Sequence, residues 1–176
     1  MEGPQLLPSS QVLQTVAKTL SEQGYHCFCP NLRGVGQSEG EHDFGTGETE
    51  DVIAVIEYAK QLFHTDTVIL AGFSFGAYVS IFAAQKITVD QLLLIGPAVG
   101  IYPIDAPAAF DTSKTFVLHG EKDEIIPLQN VFDWARPQSL PVMILPGTGH
   151  FFHAKLILLK QILTHYLINT KNNSTQ

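Results

Sequence analysis

Ala71-Gly72-Phe73-Ser74-Phe75-Gly76-Ala77-Tyr78 follows the apolar run Thr67–Ala71 and opens a helical pattern over Phe75–Lys86. The order is strand, tight turn, helix, with one serine at the turn between two glycines. A Gly-x-Ser-x-Gly turn in this context holds its serine in a strained backbone, and residues without a Cβ let strand and helix pass closely. The first helical turn leaves N–H groups unpaired beside the serine oxygen, that of Phe75 among them. Ser74 is therefore the candidate nucleophile and the Phe75 backbone N–H the candidate oxyanion donor.

Outward from this turn the chain alternates. Gln11–Gln23 carries Val12, Leu13, Val16, Ala17 and Leu20 at helical spacing, and Tyr25–Cys29 is an apolar run closed by Pro30, which predicts a buried strand. Asn31–Gly47 is glycine-rich and aperiodic, a long loop of the kind that carries function. Glu48–Phe63 is amphipathic. Strands are expected at Thr67–Ala71, Gln91–Ile95, Thr115–His119 and Pro141–Leu145, with helices at Phe75–Lys86, near Leu128–Ala135 and at Phe152–Leu167. The strands read as continuous apolar runs, so the expected fold is α/β, a mostly parallel sheet with helices on both faces. One domain over residues 1–168 and a flexible polar tail over 169–176 complete the expected organisation. In such sheets chemistry gathers at the carboxyl ends of the strands.

A serine hydroxyl is a weak nucleophile at neutral pH and needs a base oriented by a carboxylate. The order expected behind such a turn is serine, acid, histidine. Thr115–His119 runs into Gly120-Glu121-Lys122-Asp123-Glu124, and Pro141–Leu145 runs into Pro146-Gly147-Thr148-Gly149-His150. Three strand ends thus offer Ser74, Asp123 and His150 in that order. Glu121 and Glu124 beside Asp123, and Asp105 and Asp111 earlier, remain alternative acids; position in the loop favours Asp123. His153 falls in the first turn of the last predicted helix and faces away.

The remaining histidines carry less. His42 between Glu41 and Asp43 matches no standard metal spacing and reads as a solvated loop, and His150 with His153 lacks a third ligand. His26 reads as a core or edge strand residue, His64 and His165 as helix-end or surface residues, and His119 receives no catalytic role. Cys27 and Cys29 share one face of the predicted Tyr25–Cys29 strand, too close in sequence for an ordinary disulfide, and read as core thiols. No metal site is expected.

A formal net charge of −7 and the absence of any Lys/Arg run argue against a nucleic-acid surface or an anionic membrane as partner. No basic-plus-apolar leader and no apolar run of ~20 residues is visible, which makes the cytoplasm the expected location. The glycine stretch Arg33–Gly40 resembles a phosphate cradle only superficially, because Glu39–Phe44 intervene before any helix. A structural turn buttressing the site is the better reading, and a nucleotide-binding domain the weakest.

Several segments resemble the small bacterial-type α/β-hydrolases related to dienelactone hydrolases. They are Arg33–Gly40, Gly45-x-Gly47-Glu48-Thr49-Glu50-Asp51, Ala71–Tyr78, His119-Gly120-Glu121-x-Asp123-Glu124-x-x-Pro127 and Gly149–His153. The resemblance runs from about Gln11 to Tyr166. It implies a Ser–Asp–His triad, no cofactor, and small ester-like substrates: esters, thioesters or lactones. It also implies early strands and a His-Pro or His-Gly loop supplying a second oxyanion N–H. This chain opens at Met1-Glu2-Gly3-Pro4 and enters its first helix almost directly, with Gly3 standing where a remnant of that loop would fall. A shortened N-terminus is thus expected to weaken activity or stability, and the alternative reading is a catalytically impaired or non-enzymatic binding protein of this fold. The short Gly96–Lys114 segment leaves no room for a separate lid domain and implies a shallow or open pocket for a small-molecule substrate.

Overall fold

Four of the apolar runs become strands: β1 (Ile69–Phe73), β2 (Gln91–Ile95), β3 (Thr115–Gly120) and β4 (Met143–Leu145). The computed structural model describes residues 8–109 and 111–173. Within them the strands form one sheet in the order β1-β2-β3-β4, every pair parallel. The register sets Phe73 beside Ile95, Ile95 beside Leu118, and Gly120 beside Leu145. All four carboxyl ends therefore open on one side of the sheet.

The helices are α1 (Pro8–Glu22), α2 (Thr46–Phe63), α3 (Phe75–Lys86), α4 (Leu128–Ala135) and α5 (Leu156–Asn173). The chain divides into two compact units, Pro30–His150 and a second made of residues 1–29 with 151–176. In the Pro30–His150 unit, α3 packs on β1 and β2, and α2 packs on α3. Leu92, Leu93, Leu94 and Ile95 are wholly buried, as are Ala77, Val79, Ile81 and Val131. Burial at consecutive positions of β2 accounts for its continuous apolar sequence, since both of its faces are covered. In the second unit α1 packs on α5; Val12, Val16 and Leu20 are buried on α1, and Leu159, Leu163 and Leu167 on α5. Lys160 of α5 donates to Glu22 of α1 at 2.9 Å.

β1 runs Ile69–Phe73 rather than Thr67–Ala71, so Gly72 and Phe73 belong to the strand, and three further expectations are corrected. Tyr25–Cys29 is not a strand: it joins no ladder of the described sheet, and His26, Cys27, Phe28 and Cys29 are exposed. An apolar run adopts strand structure only where a neighbour takes its backbone hydrogen bonds, so neither the core-thiol reading nor the strand reading of His26 holds. Secondly, α5 begins at Leu156 rather than Phe152 and continues to Asn173, past Leu167 and into the segment expected to be a flexible tail. Phe152 and Ala154 take left-handed φ values of 54° and 57°, which keeps the chain out of the helix there. His153 consequently lies in an exposed turn ahead of α5. Finally, β4 starts at Met143 rather than Pro141, consistent with a proline having no N–H to give a ladder.

Candidate active site

Ser74 sits between β1 and α3 with φ 54° and ψ −119°, a conformation that costs an L-residue energy and persists only where its surroundings enforce it. Those surroundings are explicit. The Ser74 N–H donates to the Ile95 carbonyl at 3.0 Å, and its own carbonyl accepts from Ala77 and Tyr78 at 3.1 Å each and from Ala98 at 3.3 Å. Gly72 is required by the crossing: a Cβ there would stand 2.4 Å from the Gly76 carbonyl oxygen and 2.5 Å from the Ala77 Cα. Gly76 is a different case, because a Cβ at that position would meet nothing within 4 Å. Close passage therefore explains the first glycine of the motif and not the second, which occupies the open side of the first helical turn.

Asp123 lies in the turn after β3, its side chain fully buried. One carboxylate oxygen accepts from the N–H groups of Ile125 and Ile126 at 2.9 and 2.7 Å, and the other accepts from His150 Nδ1 at 2.7 Å. Burial opposes the charge, but the bonds from His150 and from the Ile126 and Ile125 amides outweigh it and hold the carboxyl below its ordinary pKa. With the Nδ1 proton engaged by a carboxylate, His150 Nε2 is left to accept, and it lies 2.9 Å from Ser74 Oγ. The structure thus brings Ser74, His150 and Asp123 into one continuous hydrogen-bonded chain. The Phe75 N–H, at the first position of α3, has no hydrogen-bond partner among the described residues.

The other acids occupy different places. Glu121 accepts from the Gly147 N–H at 2.7 Å and Glu124 from the His150 N–H at 3.4 Å, so both grip the backbone of the histidine loop. Lys122 N–H adds a bond to the Thr148 carbonyl at 2.9 Å. A Cβ on Gly120 would lie 2.3 Å from that same carbonyl oxygen, so the glycine ending β3 admits the histidine loop. Asp111 accepts from the Ser113 N–H at 2.9 Å, and Asp105 is exposed. His119, given no role on sequence grounds, is wholly buried and donates Nε2–H to the Ile126 carbonyl at 3.0 Å, with Asp123 Oδ2 at 3.5 Å. Burial lowers its pKa, against the opposing pull of the Ile126 carbonyl and Asp123, and keeps it neutral beside the carboxylate.

The Arg33–Gly40 stretch folds as a set of turns closed on themselves. Gly34 N–H donates to Glu39 O, Val35 to Leu32 and Ser38 to Val35. Arg33 pins the turns to α2 through Asp51, with Nε at 3.0 Å and a terminal guanidinium nitrogen at 2.7 Å. These amides serve the loop itself rather than an anion. His42 is exposed, as expected of a loop, yet it is not merely solvated. Its Nδ1 lies 2.9 Å from the carboxylate of Glu48, and its ring packs against Phe44 and Phe75. Glu48, fully buried, accepts from the Asp43 and Gly45 N–H groups at 2.8 and 2.9 Å. A cavity of about 540 Å³ involves Val99, Gly100, Asn130 and Trp134; Ser74, Asp123 and His150 do not line it. Gly3 lies outside the described residues.

Comparison with known proteins agrees with this architecture. Residues 4–107 match the model of the alpha/beta hydrolase fold family, a span that includes Ser74 and ends before Asp123 and His150. An alpha-beta serine hydrolase homologue from Coxiella burnetii is 36% identical with a TM-score of 0.81, over 89% of this chain and 76% of that one. XC6422 from Xanthomonas campestris, described as an a/b serine hydrolase without lid, is 39% identical with a TM-score of 0.81, over 88% and 71% of the two chains. Protein RP471 of Rickettsia prowazekii is 28% identical over 94% of this chain and 74% of its own length. A parallel sheet with a serine turn at its carboxyl edge defines a hydrolase-type α/β protein. The chain belongs to the alpha/beta hydrolase fold family. Among the described residues no helix is long and apolar enough to cross a membrane.

Proposed function

We propose that the protein is a serine hydrolase that cleaves small ester-like substrates through an acyl-enzyme formed on Ser74. The carrying observation is the continuous chain from Ser74 Oγ to His150 Nε2 at 2.9 Å and from His150 Nδ1 to Asp123 at 2.7 Å. In this reading Ser74 Oγ attacks the acyl carbon while His150 Nε2 takes its proton, and Asp123 stabilises the imidazolium that forms. The Phe75 N–H receives the developing oxyanion, a type of contact worth roughly 10²–10³ in rate. His150 returns the proton to the departing alcohol or thiol. Water, deprotonated by the same nitrogen, then attacks the acyl carbon and releases the acid and Ser74.

Ester, thioester and lactone carbonyls all fit this sequence of steps. The acidic net charge and the lack of a basic run support a small-molecule substrate over a nucleic acid or an anionic membrane. The test is labelling by a fluorophosphonate probe, wild type beside Ser74→Ala. Labelling is expected in the wild type alone, together with ester turnover that the variant lacks. A folded wild type that neither labels nor turns over esters would make the chain a binding protein on an enzymatic fold.

A further inference from the structure

Beside the nucleophile turn the loop after Gly40, the start of α3 and the loop after β2 contribute aromatic rings to one cluster. The Phe75 ring, one residue from Ser74, has its centroid 4.8 Å from that of His42 and 5.0 Å from that of Tyr102. His42 lies 4.9 Å from Phe44 and 6.3 Å from Tyr102, and Tyr78 packs 4.9 Å from Tyr102 beneath. Tyr78 is spent structurally, being buried and donating its hydroxyl to the Ile104 carbonyl at 2.7 Å. The outer rings remain open: Phe44 is 52% exposed, and His42, Phe75 and Tyr102 are exposed or half-buried.

This cluster costs the fold something, which separates it from ordinary surface. Phe44 takes a left-handed φ of 51°, a conformation that bulky residues seldom adopt. The buried Glu48 carboxylate lies 2.9 Å from His42 Nδ1, which leaves Nε2 as the ring nitrogen not set against a carboxylate. Neither His42 Nε2 nor the Tyr102 hydroxyl has a hydrogen-bond partner among the described residues. The array is a ring-lined wall with polar tips, next in the chain to the reacting serine.

We infer that His42, Phe75 and Tyr102 form a substrate subsite for an aromatic ring, so that the preferred substrates are aryl-bearing esters whose ring carries a hydroxyl donated to His42 Nε2. The inference rests on the hydrolase reading above and deepens it. Edge-to-face and offset packing supplies the aromatic preference, and His42 Nε2 reads the hydroxyl.

The test uses two series with matched reacting groups: methyl esters of cyclohexylacetic, phenylacetic and 4-hydroxyphenylacetic acid, and acetates of 2-cyclohexylethanol, 2-phenylethanol and 2-(4-hydroxyphenyl)ethanol. In at least one series kcat/KM should rise roughly three- to tenfold from cyclohexyl to phenyl, and about fivefold more with the hydroxyl. His42→Phe should abolish the second ratio and Tyr102→Leu reduce the first. Flat ratios in both series overturn the subsite, while turnover that disappears with Ser74→Ala leaves the hydrolase reading intact. Should the wild type hydrolyse none of them, that reading fails and binding decides the subsite separately. In folded Ser74→Ala, the His42 imidazole resonance should move with methyl 4-hydroxyphenylacetate and not with the cyclohexyl ester. No movement with either, or equal movement with both, overturns it.

Discussion

Replacing Asp123 by asparagine exchanges one oxygen for an NH₂ group and leaves the volume unchanged. In the native site one Asp123 oxygen accepts two backbone N–H bonds, from Ile125 and Ile126, and the other accepts from His150 Nδ1 at 2.7 Å. The two amides can be satisfied only by the remaining oxygen, so the new NH₂ must face His150. Nδ1 then becomes an acceptor, the imidazole proton moves to Nε2, and a hydrogen points at Ser74 Oγ across 2.9 Å. A base that already holds its proton cannot take another. A tautomer inverted in this way costs about 10⁴ in kcat, or about 5 kcal/mol of barrier. Loss of the charge-assisted bond costs folding stability only ~1.5–3 kcal/mol. The assay pairs ester turnover with thermal melting: kcat falls four orders of magnitude while the protein stays folded at 25 °C. Asp123→Asn retaining more than a tenth of wild-type kcat would refute the reasoning. So would Glu124→Gln losing as much, because Glu124 touches the His150 backbone and not its ring.

The two motif glycines should separate cleanly in melting experiments. Gly72→Ala drives a Cβ into the backbone of Gly76 and Ala77, and is expected to cost several kcal/mol, about the upper range for single substitutions. Gly76→Ala meets open space at a helical position and should be neutral or stabilising by up to about 1 kcal/mol. Leu94→Ala, at a wholly buried strand position, should cost about 2–5 kcal/mol in denaturant unfolding. Glu48→Gln tests the buried carboxylate by pH. Burial opposes its charge, yet the bonds from Asp43 and Gly45 depress its pKa, so its contribution is full above the ordinary glutamate value. That contribution is lost as pH falls through the depressed native value. The melting difference between wild type and variant should therefore narrow in that acid window; a constant difference would show that charge plays no part.

Local pattern made the central sheet readable, because β2 and α3 depend on burial that their own residues announce. Gln91–Ile95 and Phe75–Lys86 appear at the expected limits. The meeting of Ser74, Asp123 and His150 is legible for a related reason: each follows a strand, and parallel strands bring their carboxyl ends to one side. What escaped depended on partners distant in sequence. Tyr25–Cys29 has the composition of a strand, but pairing is a property of the neighbour and not of the run. His42, flanked by Glu41 and Asp43, looked solvated because Phe75 and Tyr102 come from other segments. Its one nearby clue was Glu48, an acid at the start of a helix with an aromatic residue in the preceding loop. Glu121 and Glu124 are rival acids for the histidine ring by sequence, whereas their carboxylates hold that loop by its amides. Loop position favours Asp123 for the ring, but it gives no sign of the backbone amides that the two glutamates hold.

The turn from Gly120 to Ile126 holds both ends of one assembly. It carries Asp123, and through Glu121, Lys122 and Glu124 it grips the segment bearing His150. Ser74 is secured elsewhere, by the Ile95 carbonyl and the Ala77, Tyr78 and Ala98 amides. The segments bearing Asp123 and His150 are thus fastened to each other more directly than either is to the turn bearing Ser74. Local opening of a surface turn demands less free energy than melting a sheet. Warming should then detach Asp123 and His150 as a unit while Ser74 remains in its strained turn, so that the ester turnover proposed above fades at temperatures where the far-ultraviolet spectrum is still native and returns in full on cooling.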